Sequence, residues 1–315
     1  MDTSAPGNTV VRFAGCDILV VMPSYMDLPS ACRLMSEIRA TAPLGVLVGG
    51  LVIDESLGRD PGWDPSNADD LRIALPYRMG AQSALSAALA KVLPECASPW
   101  ICTMDSDGED CAKDVWRLWA ARSSDIDMVL AIRGKRQGST LFILGYRGFR
   151  ALYRGLTGQS IRSGNFALIR RDWLESNIVR PEFQLTYAGT IASLKCERIG
   201  IRCDRGSRDG GRSRMRTTDS VSDALRWLLP QSGRIAARTL LALMITAALG
   251  IIGLLWIFAF NVRGTASPGW TTSALLLVGG GFGLALVLFL VSSVMNGLLL
   301  LGKPHSRPMD ISIIP

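Results

Sequence analysis

The chain has 315 residues, of which 48% are hydrophobic and only 19% charged, below the ~25% usual for soluble domains. The shortfall lies between residues 239 and 302, where Arg263 is the one charged residue. This pattern argues against a wholly soluble protein, a disordered chain and a collagen-like fibre. A formal net charge of +7 is compatible with a nucleic acid, an anionic membrane surface or a phosphorylated substrate, and the lack of a long Lys/Arg run or zinc-finger spacing argues against the first.

The N-terminal part alternates between short apolar runs and helical patterns. Residues 17–22 (DILVVM) stop at Pro23 and read as a buried strand. Residues 29–40 read as a helix with Pro29 in its first turn. A second strand is expected over 46–53, a Gly/Pro/Asp-rich loop over 54–69 and a third strand over 71–75. An Ala/Leu-rich helix follows over 80–93, then a strand over 100–104, a helix over 114–122 and a strand over 127–132. This order predicts an α/β domain with a mainly parallel sheet. Ligands of such sheets sit at the carboxyl ends of the strands. Acidic residues stand at two of those ends: Asp54 with Glu55, and Asp105 with Asp107.

Seven cysteines, an odd number with no C-x-x-C pair, read as reduced thiols of a cytosolic domain. The first ten residues lack a basic region followed by an apolar one, so no cleaved secretory signal is expected.

Residues 239–260 are 22 uncharged, mostly apolar positions. As a helix they cover about 33 Å, close to the ~30 Å hydrocarbon core of a bilayer. A second apolar run covers about 274–301 and holds Gly279, Gly280, Gly281 and Gly283. Gly279 and Gly283 form a G-x-x-x-G pair, which favours close helix approach in lipid. Arg226, Arg234 and Arg238 precede the spans, and Lys303, His305 and Arg307 follow them. The positive-inside rule then places both ends, and the large N-terminal domain, in the cytoplasm. The division expected is 1–216 for the α/β domain, 217–238 for a juxtamembrane amphipathic segment, 239–302 for the two spans and 303–315 for a cytoplasmic tail.

Three stretches carry chemistry. Asp105, Asp107 and Glu109 alternate after a strand, so an extended backbone would point all three to one side. Converging carboxylates need a cation, and hard oxygen ligands suit Mg²⁺ or Mn²⁺; a solvated acidic turn is the other reading. Residues 205–214 hold Arg205, Arg208, Arg212 and Arg214 separated by glycines. Arginine forks bind phosphate oxygens, and a basic linker near anionic headgroups has the same composition. Residues 139–158 interleave Leu141, Phe142, Leu144, Phe149 and Leu152 with Arg147, Arg150 and Arg154. They read either as an interfacial helix or as a core-facing helix with a solvated edge. The single histidine follows the second span. No Ser-His-Asp triad, histidine metal site or Walker loop is present.

Taken in order, these segments resemble family 2 glycosyltransferases of the GT-A fold. More narrowly they resemble the branch that moves a sugar onto a polyprenyl phosphate, such as dolichol-phosphate mannose synthases and bactoprenol glucosyltransferases. Residues 20–27 (VVMPSYMD) resemble the opening strand and its P-x-Y-N-E turn, with Met26 for Asn and Asp27 for Glu. Residues 53–56 (IDES) resemble V-D-D-G-S, and Arg78 stands at the Asn of N-x-G. Residues 104–109 (MDSDGE) resemble the D-A-D-L-Q metal motif. Residues 163–169 (SGNFALI) resemble S-G-D-F-R-L-M, with Asn165 for the acid and Ala167 for the arginine. Arg205, Arg208, Gly211 and Ser213 resemble R-x-x-R-x-x-G-x-S, and the two-span tail is similar to that of the bacterial branch.

The resemblance implies a UDP- or GDP-sugar donor, a polyprenyl phosphate acceptor, a membrane location and Mg²⁺ or Mn²⁺ as cofactor. It is compatible with a homo-oligomer. It implies that Pro23, Tyr25, Asp27, Asp54, Glu55 and Asp105 line the nucleotide-sugar site. It further implies that Asp105, Asp107 and Glu109 hold the metal, and that Arg205, Arg208 and Ser213 meet the acceptor phosphate. Asp105, Asp107, Arg205 and Arg208 then carry the reaction, an inverting transfer. The alternatives are a membrane glycosyltransferase with another lipid or a glycan hydroxyl as acceptor, and a non-catalytic member that binds nucleotide sugar.

Overall fold

The structure, a computed structural model, describes residues 13–65, 70–133, 140–160, 163–204, 206, 224–262, 269–301 and 312–314. It divides into two compact units: residues 1–143, 162–227 and 304–315 form the first, and residues 144–161 and 228–303 the second.

The first unit is an α/β domain. In chain order it holds β1 (Ile18–Ser24), α1 (Leu28–Ala40), β2 (Val48–Asp54), β3 (Leu71–Ala74), α2 (Ala81–Val92), β4 (Trp100–Thr103), α3 (Ala112–Ala120) and β5 (Met128–Arg133). After α4 (Thr140–Thr157) come β6 (Ser163–Arg170), α5 (Arg171–Ile178), α6 (Pro181–Leu185), α7 (Tyr187–Ser193), β7 (Arg198–Cys203) and β8 (Ser312–Ile314). The strands form one sheet in the order β7-β5-β6-β4-β1-β2-β3-β8. β6 runs antiparallel to both β4 and β5, and β8 antiparallel to β3; the other adjacent strands pair in parallel. The mainly parallel Rossmann-like sheet expected from the sequence is thus observed.

The apolar runs of β1 and β2 are buried on both sides, which is what a parallel sheet covered by helices requires. Leu19, Val21, Leu51 and Ile53 pack on one face with Ala84, Leu85 and Leu89 of α2. Ile18, Val20, Met22 and Val52 pack on the other with α1 and α3, through Leu34, Met35, Ile38, Val115 and Leu118. The loop after β2 caps α1: the Asp60 carboxylate accepts the Leu28 N–H at 2.9 Å and the Gly62 N–H at 3.1 Å. All seven cysteines are free. Burial raises the thiols of Cys32, Cys96, Cys102, Cys111, Cys196 and Cys203, the last to about 11.

β8 adds a feature that the sequence reading treats as tail: Ser312–Ile314 pairs with Arg72–Ala74 at the edge of the sheet. The residues expected to form the juxtamembrane segment up to 223 lie largely outside the described residues.

The second unit holds α4 from residue 144 onward, α8 (Ser232–Val262) and α9 (Trp270–Leu301). Both long helices are apolar enough to cross a membrane, and only 11% of each candidate span is buried. Leu254, Trp256 and Phe258 of α8 and Leu276 and Leu284 of α9 face outward, which a buried hairpin of a soluble protein would not permit. The glycine pair proves to have a different place from the one expected. A Cβ on Gly279 or Gly283 would meet nothing within 4 Å, whereas one on Gly250 would come within 2.9 Å of Val278 Cγ1. Gly250 of α8 is therefore where the two helices approach most tightly among the glycines of this pair. Near the start of α8 the Ser232 hydroxyl donates to Asn296 Oδ1 of α9 at 3.3 Å.

α4 combines the two faces that its sequence leaves open. Tyr153 is buried, with Tyr146 and Phe149 half-buried beside it. On another face Leu144 and Leu152 are 65% and 55% exposed, and Arg147, Arg150 and Arg154 are exposed beside them. A polar knot joins α4 to the start of α8. Gln231, 1% exposed, donates to Tyr153 Oη at 3.2 Å and Gln159 Oε1 at 3.0 Å, and accepts from Arg234 Nη1 at 3.0 Å. Arg238 Nε donates to the Gly155 carbonyl at 3.2 Å. Replacing Gln231 with Ala strands a buried phenol oxygen and an amide, so Gln231→Ala is expected to cost about 1–3 kcal/mol. Thermal unfolding of the detergent-solubilised chain measures this, and Gln231→Glu, which keeps the Arg234 contact, should lose less.

Candidate functional site

β4, β1, β2 and β3 are parallel neighbours, so their carboxyl ends share one edge of the sheet. The turns that leave them bring Pro23 to Asp27, Asp54 to Ser56, Leu75 to Gly80 and Met104 to Asp110 together. This is the edge at which a sheet of this kind takes its ligands.

The turn after β1 is tight. Met26 adopts φ +59°, in the left-handed region, and is exposed. Pro23 is buried, and its carbonyl accepts the Ser106 hydroxyl at 2.9 Å, which ties this turn to the acidic one. Tyr25 and Asp27 are half-buried. The Arg78 guanidinium lies over the Tyr25 ring, 4.0 Å from its centroid. Such a contact between exposed groups contributes about 0.5–1 kcal/mol. It joins the turn after β1 to the turn after β3, and gives a reason for arginine at the position where the resembling family has asparagine.

Asp54 and Glu55 take places deeper than the sequence suggests. Asp54 is fully buried; Oδ1 accepts the Ser56 N–H at 2.7 Å and Oδ2 accepts Arg72 Nη2 at 2.6 Å. In this position its charge faces Arg72 and its other oxygen shapes the turn. Glu55 is 2% exposed, and its Oε2 accepts the N–H groups of Met79 at 2.9 Å and Gly80 at 2.7 Å. It thereby fixes the loop that enters α2, where Gly80 needs its positive φ of +85°. Glu55 too supports the site from beneath.

The acidic turn follows β4, which ends at Thr103. The chain does not stay extended past that point: it bends over Ser106–Asp110, with Gly108 at φ +83°. The alternation that would align Asp105, Asp107 and Glu109 is therefore broken, and among the described residues no three Asp, Glu, His or Cys groups gather as a metal-enclosing set. Instead the turn is internally braced. Asp110, 4% exposed, accepts the Asp105 N–H at 3.0 Å, and Asp107 Oδ1 accepts the Glu109 N–H at 3.0 Å. Asp105 and Asp107 remain half-buried at the sheet edge. A carboxylate pair of this kind fits a hard divalent cation that completes its shell with water and phosphate oxygens.

Two further strands deliver residues to this turn. The antiparallel register of β4 and β6 pairs Thr103 with Ala167, which places Asn165 opposite Asp105. Asn165 Nδ2 donates to Asp105 Oδ1 at 3.1 Å, and the Asn165 carbonyl accepts the Thr103 hydroxyl at 2.6 Å. β7 ends at Cys203, and three residues later the Gly206 N–H donates to the Glu109 carbonyl at 2.9 Å. A Cβ on Gly206 would come within 2.6 Å of the Gly108 carbonyl oxygen, so only glycine fits against the turn. The arginine-rich segment thus begins against the acidic turn. Arg205, Arg208 and Ser213 themselves lie outside the described residues. A cleft of about 220 Å³ opens beside the contact, lined by Arg33, Glu37, Asp110, Cys111 and Gly206 among others.

Gln82, Arg72 and Asp110 belong to this site and carry no motif. Their signal is spatial: each is a buried or half-buried polar side chain brought to the site by the fold.

No protein-family model matches the chain, and no curated protein matches it. Among solved structures it is similar to glucosyl-3-phosphoglycerate synthase from Mycobacterium tuberculosis in complex with Mn²⁺, UDP and phosphoglyceric acid. That similarity has a TM-score of 0.46 and 16% identity over 74% of this chain and 84% of that one. The complex of the same synthase with Mn²⁺, UDP and glucosyl-3-phosphoglycerate gives a TM-score of 0.41 and 16% identity over 75% and 85%. A structure described as a mycobacterial protein gives 0.45 and 16% over 74% and 80%. At TM-scores below 0.5 these likenesses assign no chemistry to this chain.

Glu55 yields a pH prediction. Burial raises its carboxyl above the ordinary value of 4.5, against the opposing N–H groups of Gly80 and Met79 and the charge of Arg78. A raised carboxyl favours the folded state most below the unfolded value, and that contribution is lost as pH rises through the folded value. Glu55→Gln keeps an acceptor oxygen without the charge. It is expected to match the parent chain in acid and to exceed it in thermal stability at neutral pH. Glu55→Ala leaves two N–H groups unpaired and should cost about 1–3 kcal/mol at either pH. Melting curves taken on both sides of pH 4.5 test the pair.

Proposed function

We propose that the chain is a membrane-bound inverting glycosyltransferase that moves a sugar from a UDP- or GDP-sugar to a polyprenyl phosphate at the cytoplasmic membrane face. The observation that carries this reading is the meeting of the Asp105–Asp107 turn with the start of the arginine-rich segment at Gly206. In the sequence Arg205 and Arg208 flank Gly206 on either side.

In this reading Tyr25, Asp27 and Pro23 form the nucleoside side of the donor site, braced by Asp54, Glu55 and Arg78. Asp105 and Asp107 hold Mg²⁺ or Mn²⁺ against the donor diphosphate, with Glu109 assisting from the same turn. The metal supplies charge neutralisation as the nucleoside diphosphate leaves. Arg205 and Arg208, with Ser213, orient donor or acceptor phosphate oxygens through paired N–H bonds. Asn165 stands beside Asp105 as a donor and has no basic atom to take a proton. A phosphate acceptor is already anionic, its second pKa being about 6 for a comparable monoester, so it needs no base there.

The second unit supports the lipid side of the reading. Residues 144–161 and 228–303 contain no Asp or Glu, and seven Lys or Arg. A polyprenyl chain leaves the bilayer only at ~0.8 kcal/mol per CH₂, so its enzyme works at the membrane surface. The exposed Leu144 and Leu152 of α4 suit the headgroup boundary, with Arg147, Arg150 and Arg154 toward lipid phosphates.

Incubation of the detergent-purified chain with undecaprenyl phosphate, Mg²⁺ or Mn²⁺ and a panel of nucleotide sugars is expected to yield a lipid-linked sugar, read by mass spectrometry. Asp107→Ala should lower the yield by about 10²-fold or more, as loss of a transition-state charge stabiliser does. Absence of product with every donor, from folded protein, overturns the reading. In vesicles, combined replacement of Arg147, Arg150 and Arg154 with Gln should weaken attraction to anionic lipid by about 1 kcal/mol per residue. It is measured as loss of the anionic-lipid dependence of activity at low salt.

A further inference from the structure

The departure of Asn165 from the acid of the resembling family has a partner that no motif names. Gln82 stands in the first turn of α2. Its Oε1 accepts the backbone N–H of Ala188, in α7, at 2.8 Å. Its Nε2 donates to Asn165 Oδ1, and Asn165 Nδ2 donates to Asp105 Oδ1 at 3.1 Å. Three hydrogen bonds therefore run in one direction, from a main-chain N–H through two side-chain amides to a carboxylate.

The direction is forced. A backbone N–H only donates, so Gln82 must turn its oxygen to Ala188. Its NH₂ then faces Asn165, which must present its own oxygen to Gln82 and its NH₂ to Asp105. The orientation of each amide follows from the group before it, and the chain begins at an atom that cannot reverse. Asn165 is 7% exposed and additionally pinned, since its carbonyl accepts the Thr103 hydroxyl. Tyr187, fully buried, donates in turn to Thr103 Oγ1 at 3.4 Å. Neither amide can relax into water without breaking this set.

We propose that Gln82 is a positioning residue for Asp105, acting through Asn165: the amide relay from Ala188 fixes the rotation of the Asp105 carboxylate and keeps an N–H donor on it. This rests on the reading of Asp105 as a ligand to a donor-bound divalent cation. A carboxylate held by a donor at one oxygen presents the other in a set direction, and groups that orient ligands in this way govern metal affinity. An acid at position 165 would place like charge against Asp105 and end the relay. Glutamine at 82 and asparagine at 165 thus form a matched pair.

The relay makes a prediction at a distance. Gln82→Glu keeps an acceptor for Ala188 but offers only oxygen toward Asn165. Asn165 must then turn its NH₂ to Glu and its oxygen to Asp105, which replaces attraction with repulsion at a residue Gln82 does not touch. Gln82→Ala merely releases Asn165. A packing role predicts the reverse order, because Glu preserves the shape of Gln and Ala does not.

Mn²⁺ binding to the full chain in detergent, followed by electron paramagnetic resonance with UDP and separately with GDP, decides between them. Gln82→Glu and Asn165→Asp are each expected to weaken Mn²⁺ binding by about tenfold or more, and Gln82→Ala by less. In an Asn165→Ala background, Gln82→Glu should have no further effect, because nothing is left to transmit the inversion. Hydrogen exchange at the Ala188 amide reads the relay without metal: protection is expected in the parent chain and in Gln82→Glu, and faster exchange in Gln82→Ala. Stronger loss in Gln82→Ala than in Gln82→Glu, or unchanged Mn²⁺ affinity in Gln82→Glu with Ala188 still protected, overturns the relay. No Mn²⁺ binding by the parent chain with either nucleotide overturns the metal reading itself, and the relay's role with it.

Discussion

Burial of carboxylates at one edge of the sheet is the constraint on which the site depends. An ionised carboxyl group removed from water must be met by a cation or by several N–H donors, or it destabilises the fold by several kcal/mol. Asp54, Glu55 and Asp110 are all less than 5% exposed, and each is met differently. Asp54 takes Arg72 from β3 and the N–H of Ser56. Glu55 takes two N–H groups from the loop before α2. Asp110 takes the N–H of Asp105. The Asp54 and Glu55 pairings tie the turn after β2 to β3 and to the loop before α2, Asp110 braces the turn after β4 from within, and the Ser106 hydroxyl ties that turn to Pro23. The half-buried residues above them, Tyr25, Asp27, Asp105 and Asp107, inherit their positions from these contacts.

The layers of the fold were legible because burial on both sides of a strand leaves a continuous apolar run, and burial of one helix face leaves a 3.6-residue period. β1, β2, β3 and β4 fall within two residues of where those patterns put them. β8 was not legible: three residues after an apolar pair of helices carry no periodicity, and only the open edge of β3 defines them as a strand. The acidic turn shows the same division. Its place at a strand end follows from the sequence, but its shape does not, because Gly108 and the bracing by Asp110 interrupt the alternation on which a three-carboxylate alignment rests. The place of Asp54 and Glu55 at a strand end follows from the sequence, yet their depth is set by Arg72 and by the Met79 and Gly80 amides, whose proximity no spacing reveals.

The second unit follows a different rule. Its long helices turn their large apolar side chains outward and keep polar contacts for their ends, where Gln231, Ser232, Arg234 and Asn296 bond to one another or to α4. That distribution is the inverse of a water-soluble hairpin. Gly279 and Gly283 meet no neighbour within 4 Å, whereas among the described glycines of these helices Gly250 lies most tightly against the other helix. α4 joins this unit through Tyr153 and the Gly155 carbonyl, which leaves its leucine and arginine stripes on other faces.

The amide at position 165 connects the chemistry to the location. A glycosyl acceptor that is a hydroxyl must lose its proton as it attacks, and a base within hydrogen-bond reach is needed to take it. Asn165 is not such a base, and its donor side is committed to Asp105. An acceptor that arrives already anionic removes that need, and phosphate is the acceptor of this kind that a membrane presents in abundance on lipid carriers. The same anion needs cationic partners, and the chain places an arginine-rich segment directly after Gly206 and an acid-free unit around its apolar helices. In the proposed reading, the amide at 165, the excess of arginine and the two outward-facing helices all serve one requirement, that the nucleophile be a charged headgroup held in a bilayer.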